Sequence, residues 1–174
     1  MSYFVVDVES DDQSPAIGSM VSFGVVMVSD QTKTFYGKTK PITESFNPEA
    51  LAISGFTREE HEGFDEPNEV MISFDKWLSE VNINGRPVFI SDNPAFDWQW
   101  INYYFHKYLG RNPFGYSARR IGDLFCGMLK DATKNSEWKR KLRKTKHTHN
   151  PVDDARGNAE ALVAMKKMGL KINF

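Results

Sequence analysis

Cysteine is almost absent from this chain of 174 residues, Cys126 being the only one. No internal disulfide can form, so a reducing, cytoplasmic setting is expected, with Cys126 as a buried structural thiol. Also missing is any apolar run long enough to cross a membrane. The N-terminal "MSYFVVDVES" has no basic region or cleavage site, which argues against export. Internal repeats and low-complexity tracts are lacking too. Net charge is only −1 and by itself points neither towards nor away from nucleic acid. What is present is an ordinary globular composition, 40% hydrophobic and 26% charged. The length suits one domain, 1–174, with a substantial core.

The charge is unevenly spread. From Lys130 to Lys146 eight basic residues face only Asp131 and Glu137, a local charge of +6 that leaves −7 on the rest. A basic segment on an acidic body suits either a polyanion contact or a solvated, mobile loop.

In "YFVVDVE" Phe4, Val6 and Val8 project to one face of a strand, and Val5, Asp7 and Glu9 to the other. "SMVSFGVVMVS" and "TKTFYGKTKPI" read as further strands of an N-terminal meander. Two short helical pieces come next, broken by Gly55 and Gly63. Val70, Phe74, Trp77, Leu78 and Val81 then have helical spacing. "RPVFIS" reads as a buried strand, and "AFDWQWINYYFHKYLG" as a helix ended by Gly110. Its aromatics are read mainly as core, with base stacking by Trp98, Trp100 or Tyr103 the weaker alternative. A third helix is expected with Asp123 as N-cap, and a last one in "DDARGNAEALVAMKKM" closed by Gly169. This order predicts an α/β layer with a mixed sheet.

Three acidic groupings carry candidate chemistry. Asp7 and Glu9 are two apart on a strand, so they share a face. Side by side they repel, and a divalent cation is the economical compensation; otherwise both reach solvent at a strand end. Oxygen donors without cysteine favour Mg²⁺ or Mn²⁺ over structural zinc. Asp97 opens a helix after the Asn-Pro turn, where a partner for the helix dipole is the simpler explanation. Asp92 and Asn93 are read as turn formers. In "HTHNPVDDARGNAEAL" Pro151 suits the first helical position. On that wheel Val152, Ala155, Ala159, Leu162 and Val163 form the buried stripe. Asp153 lies on a charged flank, as a solvent residue or cap. Asp154 lies beside Asn158, Ala161 and Met165 and is the better candidate to face inwards. His149 is within reach of the same helix mouth.

Taken in order, D-x-E at Asp7 and Glu9, N-x-x-F-D at Asn93, Phe96 and Asp97, and H-x-x-x-x-D at His149 and Asp154 resemble the DEDDh branch of the DnaQ/RNase T superfamily of 3′→5′ exonucleases. "ALAISGFTREE" is similar to the segment that carries Gly-aliphatic-Thr in that family. Gly55, Phe56 and Thr57 fall there, with Ser54 where histidine is common and Phe56 where isoleucine is common. The resemblance covers nearly the whole chain. It selects His149 over His147, since the residue at the matching offset from His147 is Val152.

The resemblance implies an RNase H-like fold, a central mixed β-sheet flanked by helices. It implies two divalent ions, Mg²⁺ or Mn²⁺, held by Asp7, Glu9, Asp97 and Asp154, with His149 as general base. The implied substrate contacts are Ser10 on the terminal sugar, Ile17 and Met20 on the terminal base, and Phe56, Asn93 and Phe96 nearby. Arg143 and Lys146 of the basic segment would contact phosphate. Asp11 and Asp12, unhelpful beside phosphate, are expected to point to solvent, and His147 to belong to the basic loop. The expected activity is 3′→5′ cleavage of single-stranded nucleic acid, with RNA preferred by likeness to small stand-alone exoribonucleases. DNA or a duplex 3′ overhang is the alternative; a non-catalytic binding module and an endonuclease of the same fold are weaker ones. Several relatives are dimers, so a homodimer is among the expected states. Asp154→Asn is expected to raise the melting temperature without metal.

Overall fold

The two-residue period of "YFVVDVES" is realised as a strand buried on both sides. In the computed structural model, which describes residues 1–174, Tyr3–Ser10 form β1. Phe4, Val6 and Val8 enter one apolar cluster, and Tyr3 and Val5 enter another on the opposite face. β2 (Met20–Met27) and β3 (Thr34–Lys38) continue the sheet antiparallel. β4 (Val88–Ser91) and β5 (Ala118–Arg120) continue it parallel on the other side. The order is β3-β2-β1-β4-β5, the expected mixed sheet with β1 at its centre. β5 leaves no signal in the sequence, because Ala-Arg-Arg is too short and too charged to show a strand period.

Helices cover both faces. α1 (Pro48–Ile53) and α2 (Arg58–Glu62) are short, and α2 starts at a capping box between Thr57 and Glu60. α3 (Pro67–Val81) and α4 (Pro94–Leu109) bury Val70, Phe74, Leu78, Trp100, Ile101, Tyr104 and Phe105 against one face. The α4 aromatics are therefore mostly core. Gly110 ends α4 at φ 68°. On the other face lie α5 (Ile121–Leu129), α6 (Glu137–Leu142) and α7 (Pro151–Lys167), contributing Ile121, Phe125, Trp138, Ala155, Ala159 and Leu162. No helix is long and apolar enough to cross a membrane.

Three local expectations are corrected. α5 starts at Ile121 directly after β5, so Arg120 occupies the cap and Asp123 lies in the first turn. The basic segment is no mobile loop. It contains a 3-10 turn at Ala132–Lys134 and then α6, anchored by fully buried Trp138, whose Nε1 donates to Asn135 O at 2.9 Å. Trp138 and Leu142 stand one helical turn apart, and that pair is the apolar signal which charge counting passes over. Cys126 is half-buried, its Sγ 3.6 Å from Ala132 O.

The start of α7 is held from two directions. Asn150 is its N-cap, accepting from Val152 N at 3.0 Å, and Pro151 takes the first position. This turn rests on the backbone of β2 at Gly24, which pairs with Asp7 across the sheet. A Cβ on Gly24 would collide with the backbone of Pro151 and Val152. Gly24→Ala is therefore expected to lower stability by about 1–3 kcal/mol through overpacking. Gly127→Ala, in α5 with open space around it, should raise stability by about 0.5–1 kcal/mol. Urea midpoints of the two variants check the contrast.

Candidate active site

β1 delivers Asp7 and Glu9 on the face that α7 covers, and α7 delivers Asp154 to meet them. Ligand oxygens of these three residues lie within 4.8 Å of one another. Asp97 enters from the first turn of α4, which comes after β4 beside β1. It is 4% exposed and accepts from Val8 N at 3.1 Å, which ties it to the strand between the other two acids. Three of the four carboxylates singled out in the sequence thus meet beside β1, and Asp97 is tied to the same strand behind them.

So much negative charge in a shielded place resists ionisation. Burial holds Asp7 well above the usual carboxylate range, and the charges of Asp97, Asp154 and Glu9 push it further, while Arg143 pulls it down. Burial, then Asp154 and Asp97, raise Glu9 to about 8. Burial also raises Asp97 to about 7, against hydrogen bonds from its neighbours.

Asp154 stands apart because its partners are built in. Its Oδ1 accepts from Arg143 Nη2 at 3.0 Å and Thr148 N at 3.1 Å. Its Oδ2 accepts from His149 N at 3.0 Å and faces His147 Nδ1 at 2.8 Å. The Arg143 guanidinium sits in a slot beside Gly157, where a Cβ would come within 2.5 Å of Nε. Asp154 is therefore not the strained member of the cluster, and the expected effect of Asp154→Asn is reversed. An amide there can serve fewer of these donors and loses the guanidinium pair, so metal-free stability should fall by about 1–3 kcal/mol. Thermal melts in EDTA read the sign.

Both histidines are at this mouth. His149 has φ 60°, in the left-handed region, held there by its N–H bond to Asp154. Its Nδ1 faces Glu9 Oε1 at 3.5 Å. His147, expected only in the basic loop, contacts Asp154, and the two rings lie 4.4 Å apart, edge to face. Offset counting passes over His147 because the loop folds back on itself.

The expected substrate contacts are placed less uniformly. Ile17 is 54% exposed in the loop after β1. Asn93 is exposed at the start of α4, with no cap bond from its side chain. Lys146 is exposed beside the site. Ser10 is buried, its Oγ donating to Asp12 O at 2.6 Å. Phe56 packs edge-on to Phe64 at 4.9 Å, and Phe96 is half-buried against Trp100. Met20 is corrected: it is fully buried at the start of β2, beside the register shift at Glu9–Ser10, in the same apolar cluster as Phe23 and Val25, and cannot press on a base. Asp11 is corrected as well. It is fully buried, accepts from Ser19 N, pairs with Arg58 at 3.3 Å and lies 3.7 Å from buried His61. This cluster ties the loop after Glu9 to α2.

The donor set suits a hard divalent cation: three carboxylates at ligand spacing, Asp97 behind them, and one guanidinium against the group. The pH dependence has a definite sign. Folded Glu9 and Asp97 keep their protons up to about 8 and about 7, against ordinary values of 4.5 and 3.8. Between these limits the folded state binds more protons than the unfolded one, so stability falls as pH rises. Metal-free protein should lose melting temperature from pH 4.5 to 8, and a bound divalent ion should flatten that loss. Melts in EDTA and in Mn²⁺ across this range check it.

Residues 2–165 match the family described as 3′-5′ exoribonuclease Rv2179c-like domain. A relative from Escherichia coli, the 3′-5′ DNA exonuclease Cap18, is 36% identical over 172 residues, covering 95% of this chain and 92% of its own length. The nuclease domain of 3′hExo, a DEDDh family member bound to rAMP, matches with a TM-score of 0.78 at 17% identity, over 99% of this chain and 94% of that one. Cell-death related nuclease 4 matches with the same TM-score and identity over 98% of this chain, which spans 65% of that nuclease. The zinc-bound E. coli ExoI–ssDNA complex matches at 0.69 and 16% identity, over 97% of this chain and 41% of the larger protein. At such identities the solved structures establish the fold, the RNase H-like one of DEDDh exonucleases. With a matching family over residues 2–165 and a 36% identical relative aligned along 95% of this chain, the chain belongs to the DnaQ-like 3′-5′ exonucleases and is a hydrolase.

Proposed function

We propose that the protein removes nucleotides one at a time from the 3′ end of single-stranded RNA. Asp7, Glu9, Asp97 and Asp154 would hold two divalent cations, Mg²⁺ or Mn²⁺, and His149 would act as general base. The observation that carries this reading is the convergence of Asp7, Glu9 and Asp154 within 4.8 Å, beside the histidine that faces Glu9.

When bound, the cations stabilise charge on the attacking and leaving oxygens of an in-line displacement. The chain's residues do the rest. His149 has Nδ1 towards Glu9, which leaves Nε2 for the proton of the attacking water. The water oxygen bonds to phosphorus, the bond to the 3′-oxygen of the preceding nucleotide breaks, and that oxygen takes a proton. The products are a strand shorter by one nucleotide and a nucleoside 5′-monophosphate. Asn93 and Ile17, both exposed, would meet the terminal nucleotide. Lys146, and Arg143 beside Asp154, would meet phosphate.

DNA is the second reading, favoured by one observation: the 36% identical relative is a DNA exonuclease. Labelled RNA and DNA of one sequence, incubated with Mg²⁺, Mn²⁺ or EDTA, separate the two. A metal-dependent ladder shortening from the 3′ end is expected, absent in Asp7→Ala, and the faster substrate identifies the sugar. Internal cuts in a circular substrate would replace the exonuclease reading with an endonuclease. His149→Ala should lower turnover by about 10²–10⁴-fold with little change in cation affinity. If cation binding collapsed instead, His149 would be a ligand and not the base.

A further inference from the structure

A second cavity lies at the other end of the sheet and shares no residue with the carboxylate site. It has a volume of about 300 Å³ and is bounded by the loop before β4, the turn that leads into β5, and β5 itself. Val88 in its lining pairs with Tyr3, four residues before Asp7. At the rise of a strand this puts the cavity about 13 Å from the acids along β1. Pro87, Val88 and Phe114 supply apolar surface, and Arg86, Ser117 and Arg119 supply polar groups. No acidic side chain lines it.

Aromatic rings, and not carboxylates, hold the two arginines. The Arg119 guanidinium lies 5.3 Å from the centre of the Tyr3 ring, and its Nη1 donates to Tyr3 Oη at 3.0 Å. The Arg86 guanidinium lies 5.6 Å from the centre of the Tyr116 ring. It also packs against Gly115, which has φ 81°, and a Cβ there would come within 2.7 Å of Arg86 Nη1. The turn before β5 is thus shaped around this arginine. Two guanidinium ions on one cavity repel each other, and an anion compensates them as a cation compensates paired acids. Their planar forks match the oxygens of a phosphate. Tyr116 is the second sign of a ligand. It is 87% exposed, so its ring contributes little to the core and has surface to spare for a flat partner. Apolar surface with a few convergent polar groups is the usual form of a small-ligand pocket, and about 300 Å³ is the lower end of its size range, enough for one nucleotide unit.

We propose that this cavity is a second nucleotide site, with the phosphate between Arg86 and Arg119 and the base stacked on Tyr116. The nucleotide comes either as a free monophosphate or as one unit of a strand bound across the surface. The site holds no group suited to a cation, so its occupancy does not depend on metal or on hydrolysis.

The test titrates AMP, inorganic phosphate and a labelled single-stranded RNA 12-mer in EDTA, the first two by calorimetry and the third by anisotropy. For Arg86→Gln/Arg119→Gln, affinity for AMP should fall at least tenfold. Tyr116→Ala, a change at an exposed ring that leaves the core untouched, should weaken AMP but not inorganic phosphate. Hydrolysis of the p-nitrophenyl ester of thymidine 5′-monophosphate in Mn²⁺ should be the same in all three proteins. Losses on the 12-mer alone would support the site and name the strand as the source of the nucleotide. No loss of affinity for either AMP or the 12-mer in the double variant would overturn it. Full AMP affinity in Tyr116→Ala would overturn the nucleotide assignment and leave a plain anion site. An equal loss on the ester would overturn the proposal too, by placing the effect at the carboxylates. If wild-type protein did not cleave the ester, the hydrolytic reading would be at fault, while the titrations in EDTA would still decide the second site.

Discussion

The close approach of α7 to the sheet is the constraint that creates the site. Pro151 and Val152 lie on the backbone of β2 at Gly24, and the residue paired with Gly24 is Asp7. The same contact brings Asp154, three residues beyond Pro151 on α7, against Asp7 and Glu9. Three carboxylates are forced together by packing, in a region where burial penalises the charge of Asp7 and Glu9. Packing thus holds the acids together against their own repulsion, and a bound cation would relieve it.

The chain meets part of that demand itself. Arg143 reaches Asp154 from the basic segment through a slot that only a glycine at position 157 leaves open. A glycine inside a helix is unfavourable by about 1 kcal/mol relative to alanine, so the arginine has a structural cost. It puts positive charge beside the carboxylates. Arg143 therefore belongs both to the acidic cluster and to the basic segment beside it. On the opposite side, buried Asp11 ties the loop after Glu9 to Arg58 and His61 of α2. The loop that carries Ile17 is thus fixed from beneath although its tip is exposed.

Local geometry accounts for the parts of the site that are legible in the residues alone. The period of two in β1 places Asp7 and Glu9 on one face, and the helical wheel of α7 separates Asp154 from Asp153. Both patterns repeat wherever the backbone is regular. Met20 and Asp11 go the other way. Each lies beside an irregular stretch, after the register shift at Glu9–Ser10 and in the loop to β2, where no period says which way a side chain turns. The role of α6 is hidden because its length of six residues, mostly charged, leaves Trp138 as almost the only apolar mark.

Residue order is enough to set the α/β succession, the strand and helix faces, and the series of acids and histidine that marks the family. These are properties of neighbours along the chain, governed by backbone periodicity and residue chemistry. Which carboxylates are neutralised is settled only once the chain is folded. Asp154 is satisfied by Arg143, Thr148, His147 and His149, whereas Glu9 and Asp97 hold their protons towards neutral pH. Folding also turns the basic segment into a wall beside Asp7. The difference is one of distance: burial and Coulomb energy depend on which groups from remote parts of the chain come within a few ångströms, and no local period encodes that.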